Sequence, residues 1–137
     1  MGFKVELLPE RIILFDFFDF KRETVDKWAE HVKAQDGKML APLRVMYNFR
    51  GAGYPTPYLL KVSVVMMETL QIPEDTRTAY MVQDRSHVAF GMVVARKMPR
   101  RAGLVRVFIN QDEAKAWLLS NPATKSTASP ASSSPQS

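Results

Sequence analysis

The chain contains no cysteine and only two histidines among its 137 residues. The lack of cysteine excludes disulfide bonds, thiolate catalysis and metal sites with cysteine ligands. It is also typical of a reducing compartment, so we expect a cytoplasmic protein. The histidines, His31 and His87, fall in separate predicted helices without clustered carboxylates nearby. The sequence therefore predicts no metal site and gives no reason to expect a cofactor.

Long hydrophobic runs are absent as well. The longest ones are far shorter than a membrane span, so we expect no transmembrane segment. The opening residues, MGFKVELLPE, lack the long apolar stretch of a secretory signal. The composition is nevertheless 46% hydrophobic and 10% aromatic, which is enough to form one core in a chain of this length.

Acidic residues are outnumbered, with 14 aspartates and glutamates against 19 lysines and arginines. Part of the excess lies in one stretch without an acid, formed by Arg96, Lys97, Arg100, Arg101 and Arg106. We interpret this stretch as a solvated loop between a helix and a strand. The alternative is a surface that binds the phosphates of a nucleic acid or a membrane. Nucleic acid is the less favoured partner, because no aromatic residues are interleaved with these charges to stack on bases.

The clearest local pattern lies in residues 104–119, LVRVFINQDEAKAWLL. The alternation in VRVFI predicts a short strand. Asn110 and Glu113 have the spacing of a helix-capping box. One apolar helical stripe follows, made of Ala114, Trp117 and Leu118. The sequence therefore predicts a strand that leads directly into a closing helix.

The same succession of strand and helix occurs earlier in the chain. The alternation of apolar residues predicts strands at 3–8, 12–18, 43–49, 77–82 and 104–109. A helix follows each strand except the first, which forms a hairpin with the second. We expect the second helix to begin at Pro57, capped by Thr56, and the third to be capped by Asp84 or Ser86. The order β-β-α-β-α-β-α-β-α predicts an α/β domain with a mixed, largely parallel sheet of four to five strands and four helices.

Three segments of the chain resemble the SpoIIAA-like domains of the STAS superfamily, the sulfate transporter and anti-sigma factor antagonist domains. They are VELLPERIILFDF, LRVMYNF and VRVFINQDEAKAWLL, of which the last is the most characteristic. The resemblance spans residues 3–120. It implies a bacterial regulatory or binding domain without catalysis, and it admits an apolar ligand or lipid. It also implies a phosphorylatable hydroxyl at the start of the second helix, where Thr56 is the candidate, although the Asp-Ser-Ser-Gly type of sequence is absent.

The region around the second helix is the predicted binding site. Its loop contains Arg50, Gly51, Gly53, Tyr54 and Thr56, and Tyr58 follows in the first turn. The glycine pair resembles a phosphate-binding turn, but a third glycine and a following Lys-Ser/Thr pair are missing, which favours a flexible turn. Beyond the loop, the helix is apolar around most of its circumference, and one face is left over after the sheet is covered: Leu60, Val64 and Met67. Ordinary core, a second subunit of a homodimer, the tail or an apolar ligand would each cover that face.

These observations predict a non-enzymatic regulatory or binding module. It would contact a protein partner or hold an apolar ligand through the 50–56 loop and the second helix. An enzyme is disfavoured because no cluster of titratable residues stands out. The alternative from another class is a protein that binds anionic surfaces through the basic residues at 96–106. Binding to phosphates would weaken steeply with salt, whereas apolar binding would not.

The domain is predicted to span residues 1–121 and to be followed by a disordered tail at 122–137. The tail consists almost entirely of Ser, Ala, Thr and Pro, so it has little apolar surface to bury. Truncation after Asn121 should therefore leave the melting temperature nearly unchanged in a thermal unfolding experiment. A fall of about 10 °C, which corresponds to more than about 1 kcal/mol for a domain of this size, would contradict the prediction.

Overall fold

The computed structural model describes residues 2–39, 43–87 and 89–120. The predicted tail at 122–137 lies outside these residues. Within them the chain forms five strands and four α-helices, in the predicted order. Their bounds are β1 Phe3–Leu7, β2 Ile13–Phe17, α1 Arg22–Lys33, β3 Arg44–Asn48, α2 Pro57–Thr69, β4 Arg77–Met81, α3 Phe90–Lys97, β5 Val105–Phe108 and α4 Gln111–Leu119. The predicted fold class is confirmed, with five strands in the sheet.

All five strands belong to one sheet, in the order β1-β2-β3-β4-β5. The hairpin strand β1 is antiparallel to β2, and the remaining neighbours are parallel. In the hairpin turn, Arg11 adopts a φ of 66°, and its amide donates to the Leu8 carbonyl oxygen at 2.9 Å. Each crossover from β2 onward moves one strand further in the same direction. Right-handed crossovers in one direction place α1, α2 and α3 on the same face of the sheet.

The larger core lies between that face and these three helices. Its helical members include Trp28 on α1, Leu59 and Met66 on α2, and Phe90 on α3. The sheet contributes the alternate residues that point to this side: Phe15, Phe17, Val45 and Tyr80. Aromatic rings dominate the contact, which explains how a small domain fills three helix–sheet junctions without disulfide bonds.

Among the described residues, α4 is the helix that covers the opposite face of the sheet. Ala114 and Leu118 of the predicted apolar stripe are fully buried there, against Leu14, Met46, Ala79 and Met81. At the start of α4, the Asn110 side chain accepts a hydrogen bond from the Glu113 amide at 3.1 Å, as predicted for the cap. The domain therefore has three layers, with one short helix closing the second core.

Two arginines of the sheet satisfy the C-terminal carbonyl groups of α4. Arg44 Nε donates to the Leu118 carbonyl at 2.9 Å, and Arg77 Nη1 donates to the Trp117 carbonyl at 2.7 Å. The Arg77 guanidinium also lies 4.7 Å from the centre of the Trp117 ring. Burial lowers the pKa of Arg77, and the neighbouring Arg106 and Arg44 add to this effect. These bonds replace the missing intrahelical partners at the helix end.

Two predictions around the third helix are wrong. Residues Arg85–His87 form a short 3₁₀ turn, and α3 then begins at Phe90 with Ala89 as its N-cap residue, so neither Asp84 nor Ser86 caps it. The basic stretch after α3, interpreted as a loop, contains a second 3₁₀ segment, Pro99–Leu104. Proline is favoured at the first position of such a turn, because its missing N–H would have no partner there.

Residue Leu118 should anchor α4, because a helix of this length is not stable by itself in water. The Leu118→Ala variant should lose about 2–5 kcal/mol in the free energy of unfolding. The matched control is Leu119→Ala, since the neighbouring side chain is 44% exposed while Leu118 is fully buried. Chemical denaturation measures both values. Equal losses in the two variants would contradict the role given to Leu118.

Candidate binding cavity

A cavity of about 530 Å³ lies between the sheet and the helices α1 and α2. It is situated where the parallel strands begin, beside the first residues of β2, β3, β4 and β5. The Pro99–Leu104 segment, which precedes β5, closes one side with Met98 and Arg101. The volume is within the range of about 300–1,000 Å³ that is typical of small-molecule sites.

The floor of the cavity consists of two rows of side chains that run across the sheet. The first row holds three stacked rings, Phe15, Tyr47 and Tyr80, whose neighbouring centres are 5.1 and 5.2 Å apart. The adjacent row, one step closer to the strand starts, has shorter side chains: Ile13, Val45, Thr78 and Val105. The step in height between the two rows leaves room beneath α1 and α2.

The walls of the cavity are mostly apolar. Trp28 and Val32 of α1 face it from one side, and Met66 and Met67 of α2 face it from the other. Of the α2 residues, Leu59 and Met66 are fully buried, whereas Leu60, Val62 and Val64 are half-buried against the core. The leftover apolar face predicted for α2 therefore divides, since Met67 lines the cavity while Leu60 and Val64 pack against the main core and are not among the lining residues.

The tyrosine hydroxyls of the floor are the first polar groups of the cavity. Burial raises the pKa of Tyr80 to about 12, and burial together with the neighbouring Tyr80 raises the pKa of Tyr47 further. Both hydroxyls therefore keep their protons at neutral pH and remain hydrogen-bond donors. The Trp28 indole N–H lies near Tyr47 and opposes part of that rise, but it is buried without a partner in hydrogen-bonding geometry.

The second polar group is at the β4 end of the cavity. Arg101 donates from Nη2 to the Thr76 carbonyl oxygen at 2.6 Å. Its Nε and the Thr76 hydroxyl are both buried without a hydrogen-bond partner. Burial lowers the pKa of the Arg101 guanidinium, and the nearby hydroxyls of Tyr80 and Tyr47 act in the opposite direction. Buried polar atoms without partners are rare in folded proteins, and three of them here belong to residues that line one cavity.

The rim on the other side is formed by the edge strand β1 and the end of α1. Val5 is 40% exposed and Leu7 is 70% exposed, although both lie on the core-facing side of the strand. His31 packs its ring edge-on against Phe15, at 5.8 Å between ring centres. Gln35 and Lys38 complete this rim. The cavity thus opens toward β1 and is closed toward β5.

The predicted binding loop lies at the opposite edge of the sheet, where β3 ends. The Arg50 amide and Nε both donate to Asn48 Oδ1, at 3.1 and 3.0 Å, and Asn48 Nδ2 donates to Asp16 at 2.7 Å. Gly53 has a φ of +93°, a conformation that a turn reserves for glycine, and Gly51 is exposed. These contacts fix the loop, but they do not bring Arg50, Gly51 or Gly53 to the cavity.

The remaining predicted residues of this region have local partners. The Tyr54 ring packs against His87 and Phe90 at the surface. The Thr56 hydroxyl accepts from the Leu59 amide at 3.2 Å and so caps α2, as predicted. The Tyr58 hydroxyl hydrogen-bonds with Asp26 on α1, and this bond raises its pKa. Thr56 stays a prediction as a phosphorylation site, and its oxygen is already engaged in the cap.

The basic stretch is divided among three places. Arg96, Lys97 and Arg100 are exposed beside α3. Arg101 turns inward to the cavity, and Arg106 lies on the α4 side of the sheet, 5.8 Å from the Phe108 ring centre. The structure therefore brings only three of these five residues to one exposed surface.

The sequence-based site omitted most of the residues that form the cavity. The sequence pattern places Tyr47 in a strand and gives no direct sign of a site at Trp28, Thr76 or Tyr80. One signal is present: β3 and β4 each carry a tyrosine directly after or before a methionine, in the middle of a predicted core strand. A tyrosine in such a position brings a hydroxyl that needs a partner. Arg101 gave no such signal, because its direction depends on the Pro99–Leu104 turn.

No family model matches this chain, and comparisons with curated proteins and with solved structures found no match either. Within the described residues, no helix is long and apolar enough to cross a bilayer. The same residues contain no group of three or more His, Asp or Glu side chains that would hold a metal ion. The geometry of the cavity is thus the main guide to function.

Replacement of Arg101 tests whether the buried charge serves the fold. The Arg101 guanidinium stays protonated at every accessible pH, and its desolvation lowers its pKa in the folded state. The charge therefore opposes folding over the whole pH range. Arg101→Met should therefore change the free energy of unfolding by no more than about 1 kcal/mol, as the lost bond to Thr76 is offset by relief of desolvation. Arg100→Met, at an exposed neighbour, is the control in urea denaturation. A loss above about 3 kcal/mol in Arg101→Met would make Arg101 a structural residue.

Proposed function

We propose that the chain is a non-enzymatic binding module whose cavity holds a small, mainly apolar molecule. The observation that carries the proposal is a preformed space of about 530 Å³ with apolar walls and a few polar groups inside. Cavities of this kind are the usual form of small-molecule sites. An apolar ligand would also cover the exposed Val5 and Leu7, which otherwise face water at the rim.

The polar groups of the cavity support binding more than catalysis. The Ser63 hydroxyl donates to the Leu59 carbonyl within its own helix at 2.8 Å, so it is held as a helix residue and not as a nucleophile. His31 lies at the rim with its ring against Phe3 and Phe15. Neither is paired with an orienting acid in the described residues, which is the arrangement that nucleophilic catalysis needs.

The proposal agrees with what the SpoIIAA-like resemblance implies. The resemblance predicts a binding or regulatory domain and admits an apolar ligand. Among the occupants considered for the leftover face of α2, an apolar ligand is favoured because Met67 lines the cavity. A regulatory role would follow if occupancy changed how the domain contacts a protein partner or a second copy.

The alternative, binding to anionic surfaces, has less support. It relied on five neighbouring basic residues, and only Arg96, Lys97 and Arg100 share an exposed surface. Binding to phosphates through that surface would weaken steeply with salt, whereas occupancy of the cavity would be nearly independent of salt. The salt dependence therefore separates the two functions.

Calorimetric titration with decanol tests the proposal. We expect saturable binding to one site with a negative heat-capacity change, which indicates burial of apolar surface. In Met67→Trp, the larger ring should fill part of the cavity and weaken binding about tenfold or more, because each excluded methylene forfeits about 0.8 kcal/mol. Met92→Trp is the control, at a site 66% exposed on α3. Absence of saturable heat with the unmodified chain, or equal binding in both variants, would overturn the proposal.

A further inference from the structure

The closed end of the cavity carries a positive charge, Arg101, for which the part of the chain that the structure describes shows no ion pair. Arg101 contacts the Thr76 carbonyl through Nη2, and its Nε is buried without an acceptor. None of the ion pairs in the described residues includes it. The Arg101 side chain is partly buried, and a desolvated guanidinium N–H without an acceptor is costly, which points to a partner that arrives from outside.

The polar atoms beside Arg101 are suited to an acceptor. The hydroxyls of Tyr47 and Tyr80 keep their protons at neutral pH, and the Trp28 indole N–H is a donor without a partner. The Thr76 hydroxyl, also unpartnered, lies on the same lining. The Arg101 Nε–H and the Trp28 N–H can only donate, and the three hydroxyls can donate as well, so a ligand group that accepts hydrogen bonds would satisfy them.

The rest of the cavity requires hydrocarbon. From Arg101 at β4 the lining continues over Val45 and Ile13 to Leu7 at the edge strand. Three strand spacings of about 4.8 Å separate β4 from β1, so the path is roughly 14 Å long. Its far end reaches water at the β1 rim, where Val5 and Leu7 are exposed.

We propose that the cavity binds a single-chain carboxylate, with the carboxylate paired to Arg101 and the hydrocarbon directed toward Val5 and Leu7. This inference rests on the proposed function and specifies the ligand class. The planar guanidinium fork matches a carboxylate in a bidentate contact. One buried cation neutralises one negative charge, whereas a phosphate dianion would leave a second charge uncompensated in an apolar site.

Titration of the full chain with decanoate and with decanol tests the inference, since the two probes share a chain and differ in the head group. We expect decanoate to bind about 10- to 100-fold more tightly than decanol at neutral pH. In Arg101→Met, decanoate should lose that advantage, so that decanoate and decanol bind this variant with about the same affinity. Arg101→Lys should recover only part of the advantage, because an ammonium lacks the fork.

The outcomes separate this inference from the proposed function. Equal affinities of the unmodified chain for decanoate and decanol would overturn the carboxylate inference and leave the apolar site in place. No binding of either probe would overturn both. A preference for decanoate that survives in Arg101→Met would also overturn the inference, because the charge would then be recognised elsewhere.

Arg100→Met is the control variant, because the Arg100 side chain is exposed, and it should retain the full preference. On the unmodified chain, decanoate is also compared with two neutral probes, decanol and methyl decanoate. This part of the test does not depend on whether any variant folds.

Discussion

The cavity exists because two adjacent rows of side chains on one face of the sheet differ in length. The aromatic row of Phe15, Tyr47 and Tyr80 holds α1 and α2 away from the strands. The side chains of the next row, with Val45 and Thr78 at its centre, are too short to fill the distance between the helices and the sheet. Close-packed interiors normally remove such differences by alternating large and small residues across the interface. Here, the helices cannot approach the sheet further without displacing the rings. The space therefore follows from which residues the strand pairing places side by side.

The same step in height explains why polar groups collect in the cavity. A tyrosine side chain is long enough to bring its hydroxyl to the edge of the aromatic row. The shorter side chains of the adjacent row do not reach far enough to cover that hydroxyl. Tyr47 and Tyr80 both line the cavity, and burial keeps their hydroxyls protonated. Arg101 reaches the same space from the segment that enters β5. None of these groups is needed to close the core, which is the reason to connect them with a ligand.

The position of the cavity departs from a common rule for open α/β sheets, in which ligands bind beyond the carboxyl ends of the strands. The carboxyl edge here carries the Arg50 loop, and that loop is fixed by Asn48 and Asp16 in a local network. The sequence drew attention to this edge because glycines between a strand and a helix are a familiar signature. The cavity lies at the amino edge instead, where the C-terminal halves of α1 and α2 cover the short row of side chains.

The sequence predicted the features that depend on local pattern. Strand alternation and helical stripes determine the order of elements, and single side chains determine the caps at Thr56 and Asn110. The third helix was placed too early because a 3₁₀ turn interrupts an otherwise continuous apolar pattern at residues 85–87. The cavity depends on which residues of different strands stand side by side. That register is set by packing over the whole sheet and cannot be read from one strand at a time.

The stability of the chain and its proposed function depend on different sides of the sheet. On the α4 side, Arg44 and Arg77 use their charges to complete a helix end, so these arginines stabilise the fold. On the cavity side, Arg101 has one backbone contact and an unpartnered Nε, so its charge opposes folding. Arg77 also has a buried Nε without a partner, but its Nη1 contacts complete a helix end, whereas the one contact of Arg101 lies beside a preformed cavity. A charge that adds little to the fold at the end of such a cavity is best explained by the molecule that would supply the missing acceptor.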